Sequence, residues 1–211
     1  MQETWDSGFC FVAIAPGSPL CNRIVEFKDL VRAIAGDQLY LNDPPHLTVF
    51  LANFQDRNRL LDGFRSLASS LCGFPIEVKG WHVFENDVLT GNYTLTLELS
   101  ETTQVNLRRV QNATIDFLAE LRDQERSASR YSKSWTRLEP HRQKSVLETG
   151  FPFTGQDWIP HLTIASIKPE HWLKVWAQLE SKCVQGTYAD SALKLYELVG
   201  MVPNPIAEYH I

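Results

Sequence analysis

The sequence predicts an α+β protein, and two observations carry that prediction. Short apolar runs alternate with segments whose apolar residues recur at helical spacing, and the order strand, helix, strand, helix, strands in the first half is echoed in the second. The tripeptide His-Leu-Thr also occurs twice, at His46-Leu47-Thr48 and His161-Leu162-Thr163, each time after a proline and before an apolar run.

The first element is a strand over Phe9 to Ala15, ended by the turn sequence Pro16-Gly17-Ser18-Pro19. Ile24, Phe27, Leu30, Val31 and Ile34 then follow helical spacing, which predicts a helix from Leu20 to Ala35 with Gly36 as its stop. The first motif strand covers Pro45 to Leu51. Leu60, Leu61, Phe64, Leu67 and Leu71 mark a second helix over Asp56 to Cys72, and strands follow at Phe74 to Phe84 and Tyr93 to Leu99. A third helix is expected from Thr103 to Arg122. Between Asp123 and Gln156 periodicity is lost, so this stretch reads as an irregular, polar insertion. The second motif strand, Ile159 to Ile167, leads to a helix starting near Glu170, and strands at Ser191 to Val199 and Ile206 to Ile211 close the chain.

Composition fits a compact protein. With 211 residues, 44% hydrophobic and 21% charged, the chain can bury a sizeable core, and residues 1–211 are expected to form a single unit of one domain or two closely packed lobes. No apolar run reaches the length of a membrane helix, and no basic segment precedes the run Phe9 to Ala15, so a cytoplasmic monomer that does not engage a membrane is expected. Cys10, Cys21, Cys72 and Cys183 show no C-x-x-C spacing, which argues against a zinc or redox site and for reduced core residues, with a Cys10–Cys21 disulfide the less favoured alternative. There is no Walker glycine loop, G-x-S-x-G elbow or H-E-x-x-H.

The chemistry sits in the repeated tripeptide. In an extended strand His46 and Thr48 share one face while Leu47 and Val49 take the other, and His161, Thr163, Leu162 and Ile164 repeat that arrangement. Two such strands brought together present two imidazoles and two hydroxyls to one cleft. An imidazole titrating near its ordinary pKa of about 6.5 can take or give a proton, so the pair suits in-line displacement at phosphorus, with the threonines donating to the non-bridging oxygens. That scheme needs neither metal nor cofactor.

The pair Pro45-His46-Leu47-Thr48-Val49 and Pro160-His161-Leu162-Thr163-Ile164, with strand-helix units around each, resembles the two-histidine (2H) phosphoesterase superfamily. That superfamily includes the bacterial 2′-5′ RNA ligase-like proteins and cyclic nucleotide phosphodiesterases. The resemblance implies a bilobal fold of two antiparallel-sheet lobes with outer helices and a central cleft, each lobe contributing one motif strand. It also implies metal-independent hydrolysis or transfer at 2′,3′-cyclic, 1″,2″-cyclic or 2′-5′ phosphodiesters. It carries over to His46, Thr48, His161 and Thr163 alone. In the mechanism read here, His161 acts as base on water and His46 as acid on the ribose oxygen, roles that exchange with substrate orientation.

Charge adds a second pointer to an anionic ligand. Residues 122–144 hold seven basic side chains against three acidic ones, within a chain of net charge −5. One basic segment in an acidic protein suits a small phosphate ester or an RNA end better than long duplex nucleic acid, which rewards many phosphate contacts. Arg130, Lys133 and Arg137 are the candidate phosphate contacts, flanking Trp135. Trp135 and Trp158 are the candidate stacking platforms for a base, followed by Phe153, Tyr40 and Trp81, while Trp172 and Trp176 read as core. His82, His141, His171 and His210 have no metal-ligand spacing. The expected partner is therefore a nucleotide or oligonucleotide phosphodiester, or an RNA end. The alternatives are a nucleotide- or RNA-end-binding module of the same fold without catalysis, and a 2′-5′ ligase-type transferase using the same residues.

Overall fold

The computed structural model describes residues 8–182, 184–189, 191–200 and 202–211. Strand β1 (Phe9–Pro16) leads through helix α1 (Ser18–Ala35) to β2 (Leu47–Asn53), and α2 (Arg57–Ser70) leads to the hairpin of β3 (Ile76–Phe84) and β4 (Tyr93–Leu99). Helices α3 (Glu101–Leu118), α4 (Gln124–Ser129) and α5 (Pro140–Thr149) precede β5 (His161–Ile167), α6 (Pro169–Leu179), β6 (Gly186–Tyr188), β7 (Ser191–Val199) and β8 (Val202–His210). The helices begin where local chemistry satisfies their free amides. Asp56 accepts from Asn58 N and Arg59 N at the start of α2, and Ser100 accepts from Thr103 N at the start of α3. Helix α1 opens with a proline in its first turn and closes on Gly36 at φ 66°, a conformation that favours glycine.

The strands form two antiparallel four-stranded sheets, ordered β2-β1-β7-β8 and β5-β4-β3-β6. Each motif strand is therefore an edge strand. The two edges pack against each other, and that meeting line is where the cleft forms. The lobes are not the two halves of the sequence. The last two strands, β7 and β8, complete the sheet begun by β1 and β2, and the second sheet takes its strands from the middle of the chain. Trp81 consequently stands on β3 in the second sheet.

Both motif strands carry a bulge at the same place. Along β1 the pairing passes from Val12↔Phe50 to Ala13↔Thr48, so Val49 is the extra residue in β2. Along β4 it passes from Leu95↔Ala165 to Thr96↔Thr163, so Ile164 is the extra residue in β5. In each case the bulge immediately follows the motif threonine, where it adds twist and re-aims the end of the strand.

The segment 123–156, expected to be irregular, holds α4 and α5 with 3-10 turns at Trp135–Arg137 and Gly155–Asp157. Helices of six and ten residues are too short to show a clear apolar period, which is why the sequence reads as loop there. The short β6 also went unforeseen. Leu47, Phe50, Phe54, Phe64, Leu95, Leu97 and Leu162 are fully buried in one continuous core. Cys10, Cys21 and Cys72 are free thiols, so the Cys10–Cys21 disulfide is not formed, and Cys183 lies outside the described residues. Among the described residues no helix is long and apolar enough to cross a membrane.

Candidate active site

His46 and Thr48 from β2 and its approach, and His161 and Thr163 from β5, all line one cavity of about 620 Å³. That volume is in the range of small-molecule binding sites. The local folding of the two arms is matched. His46 Nδ1 lies 2.7 Å from the carbonyl of Pro44, and His161 Nδ1 lies 2.7 Å from the carbonyl of Ile159, in each case two residues back. A carbonyl can only accept, so Nδ1 carries the proton in both rings and Nε2 is left as the exchanging nitrogen. Each ring also touches a phenylalanine of its own lobe, Phe11 for His46 and Phe84 for His161, at centroid distances of 5.0 and 4.8 Å.

The arms differ in their electrostatics. Burial pushes the His46 pKa down to about 4 against a partial opposing pull from the Pro44 carbonyl, and the Lys28 and His161 charges push it down further. Burial also lowers His161, with His82 adding to the shift and the Asp87 carboxylate and the Ile159 carbonyl opposing it. Both rings are thus neutral at pH 7 in the free protein. The Thr48 hydroxyl then donates to His46 Nε2 across 3.2 Å, and it must turn away from the ring to serve a phosphate oxygen.

A consequence for stability follows from the sign of the His46 shift. The folded pKa lies below the ordinary value of about 6.5, so the unfolded chain binds the proton more readily. The stabilisation is fully present above pH 6.5 and is lost as pH falls toward 4. Across pH 7 to 4 the melting temperature of wild type is expected to fall relative to that of His46→Asn, because the variant has no imidazole to charge.

Of the binding residues read from sequence, the fold brings Arg130 and Trp158 to the cavity wall and leaves out Lys133, Trp135 and Arg137. Lys133 is exposed. Trp135 packs on the core and its carbonyl accepts from Gln143, while Arg137 reaches the Leu89 carbonyl at 3.3 Å. Most of the basic segment is committed locally in the same way: Arg122 to main-chain carbonyls, Arg126 to Asp123, Lys144 to Glu148. Trp81 turns away as well, packing edge-on against Phe27 and donating to the Lys182 carbonyl. Tyr40 and Phe153 line the cavity, whereas Trp172 stacks between Tyr93 and Trp176 and both tryptophans pack against the core.

Several cavity residues were not foreseen. Lys28 sits on the core-facing stripe of α1 among Ile24, Phe27 and Val31 and is 4% exposed; a lysine in an apolar stripe is the signal that could have found it. Asp87, in the β3–β4 turn, accepts from Leu89 N, Thr90 N and the Thr94 hydroxyl and forms the wall near His161. Arg142 is held in plane by Asp157 at 2.6 and 3.1 Å and lies over the Phe153 ring. Gln111, fully buried, donates to the carbonyls of Val49 and Phe153 and accepts from Gly155 N, joining the β2 bulge to the segment that leads into His161. No three His, Cys, Asp or Glu side chains converge as a metal site among the described residues.

A family model described as the 2′-5′ RNA ligase superfamily matches residues 16–196. In fold the chain is similar to E. coli LigT complexed with 3′-AMP, at 14% identity and TM-score 0.53, covering 97% of this chain and 98% of that one. It is similar also to TT0787 of Thermus thermophilus, at 15% identity and TM-score 0.54, covering 96% and 97% of the two chains. A search of curated proteins by sequence finds no match.

Proposed function

The chain belongs to the 2′-5′ RNA ligase superfamily, a group of two-histidine phosphoesterases and ligases, and we propose that it is a metal-independent phosphodiesterase acting on a cyclic or 2′-5′ phosphodiester of a nucleotide, oligonucleotide or RNA end. The observation that carries this reading is the pair of imidazoles in one cavity, each with Nδ1 committed to a carbonyl, which leaves Nε2 as the nitrogen that can exchange a proton once Thr48 turns away from His46. One Nε2 takes a proton from water as the water oxygen bonds to phosphorus, and the other gives a proton to the ribose oxygen as its bond to phosphorus breaks. Thr48 and Thr163 hold the non-bridging oxygens. In this reading His46 gives its proton to the leaving oxygen and His161 takes one from water, roles that exchange with substrate orientation. The aromatic wall of Tyr40, Phe151, Phe153 and Trp158 offers faces for a base, and a nucleotide the size of the 3′-AMP bound by LigT matches the cavity volume.

The test is a substrate panel of 2′,3′-cyclic nucleotides, 2′-5′ oligoadenylates and 3′-5′ cyclic oligonucleotides, incubated with the protein in EDTA. Cleavage of one class, undiminished by the chelator, is the expected result. Loss of all cleavage on chelation overturns the metal-free mechanism, and binding without cleavage of any class turns the reading to a nucleotide-binding module. Since kcat/KM reports ionisations of the free enzyme and both rings are held below their ordinary value, kcat/KM is expected to peak on the acid side of pH 6.5. A maximum at pH 8 overturns that expectation.

A further inference from the structure

The ammonium of Lys28 enters the cleft from behind the loop that carries His46. Its Nζ donates to the carbonyls of Tyr40 and Asp43, the latter at 2.9 Å, and Asp43 directly precedes Pro44, whose carbonyl holds the His46 ring. An ammonium has three N–H donors. Two go to the loop, and no third acceptor lies within bonding distance among the described residues. Nor does any described carboxylate come within ion-pair distance, although the Asp43 carboxylate is near enough for the two charges to be felt. Burial draws the pKa of Lys28 down to about 8, so the group is a cation at neutral pH. Lys28, Tyr40, Asp43, His46 and Thr48 all line the one cavity. A buried charge without an ion partner is costly unless a ligand supplies the opposite charge.

We propose that Lys28 is a phosphate-binding residue of this cleft, pinned at two corners by main-chain carbonyls and giving its remaining N–H to a non-bridging oxygen of the substrate phosphate. The inference deepens the reading above and rests on it for the substrate class. On this assignment the His46 side of the cleft holds the phosphate through the Lys28 ammonium and the Thr48 hydroxyl, while the His161 side, walled by Asp87, offers Thr163. Lys28 thereby offsets the hydroxyl that Thr48 must withdraw from His46.

The experiment is calorimetric titration of inorganic phosphate and of adenosine 3′-monophosphate into the whole protein at pH 7 and low salt, with wild type, Lys28→Gln and Lys28→Arg. Glutamine keeps an N–H for the loop carbonyls and removes the charge. The expected result is at least about tenfold weaker binding of both ligands to Lys28→Gln, as for loss of a charge-assisted hydrogen bond, with most of it restored by Lys28→Arg. Binding by Lys28→Gln within twofold of wild type overturns the proposal, as does an arginine variant as weak as the glutamine one, since the side chain would then only tie the loop. Should Lys28→Gln fail to fold, raising the pH from 7 to 9 discharges Lys28 and is expected to weaken binding to wild type relative to Lys28→Arg, in which the ligand's own ionisation is the shared background; parallel curves overturn the proposal. A wild type that cleaves nothing in the panel yet shows these contrasts loses the enzymatic reading and keeps the assignment of Lys28.

Discussion

Replacing either His46 or His161 with alanine is expected to lower kcat on the cleaved substrate by at least about 100-fold, the scale of a general acid or base contribution. The double variant is expected to be little worse than either single one, because two groups acting in one proton relay fail as a unit. KM should move far less, since the threonines and the aromatic wall remain. Each alanine also strips a donor from a main-chain carbonyl, Pro44 in one arm and Ile159 in the other. Asparagine is the control for that loss. Its amide can reach the same carbonyl but cannot carry a proton between water and ribose, so His46→Asn and His161→Asn should be as inactive as the alanines. Activity that survives in both alanine variants removes the two-histidine mechanism altogether.

The second large effect is on stability and falls on a residue that touches no substrate. Gln111→Leu leaves the Val49 and Phe153 carbonyls and the Gly155 amide without the partner they have now, in a site that is fully buried at the glutamine. Each orphaned buried group costs about 1 to 3 kcal/mol, so a loss of roughly 3 kcal/mol or more is expected. For a chain of this size that lowers the melting temperature by roughly 6 to 12 °C. Gln111→Glu should fare no better, because a carboxylate can accept from Gly155 but cannot donate to either carbonyl. A melt within 2 °C of wild type for Gln111→Leu would show that the bulge and the 153–155 turn hold themselves.

The fold class and the motif residues were legible because they are local and repeated. A strand of alternating character shows its two faces in any window, and His46, Thr48, His161 and Thr163 were placed together by repetition rather than by knowledge of the sheet order. What the sequence hid was long-range. The assignment of β7 and β8 to the first sheet depends on pairing with β1, far off in the chain, and no local pattern records it. Arg130 and Trp158 line the cavity while Lys133, Trp135 and Arg137 lie off it, and the sequence could not separate them for a similar reason: on short helices and turns the direction of a side chain is set by what packs beneath it. Arg142 was counted among the basic residues and not singled out, because its partner Asp157 lies fifteen residues on. Lys28 and Gln111 were hidden by their setting, each a polar residue on the buried face of a regular helix.

The matched bulges have a mechanical meaning for the two motif strands. Along β2 the cavity-facing residues run His46, Thr48, Leu51, a step of two followed by a step of three. The strand is thus cut into two segments of opposite phase, an outer one set by the cleft and an inner one set by the core, with Val49 as the joint between them. Ile164 makes the same joint in β5. The joint lets the histidine end of each strand face the cleft while the residues beyond it keep their own pairing with the neighbouring strand. Deleting Val49 or Ile164 is expected to restore an unbroken ladder, so that one phase runs along the whole strand from the histidine into the core.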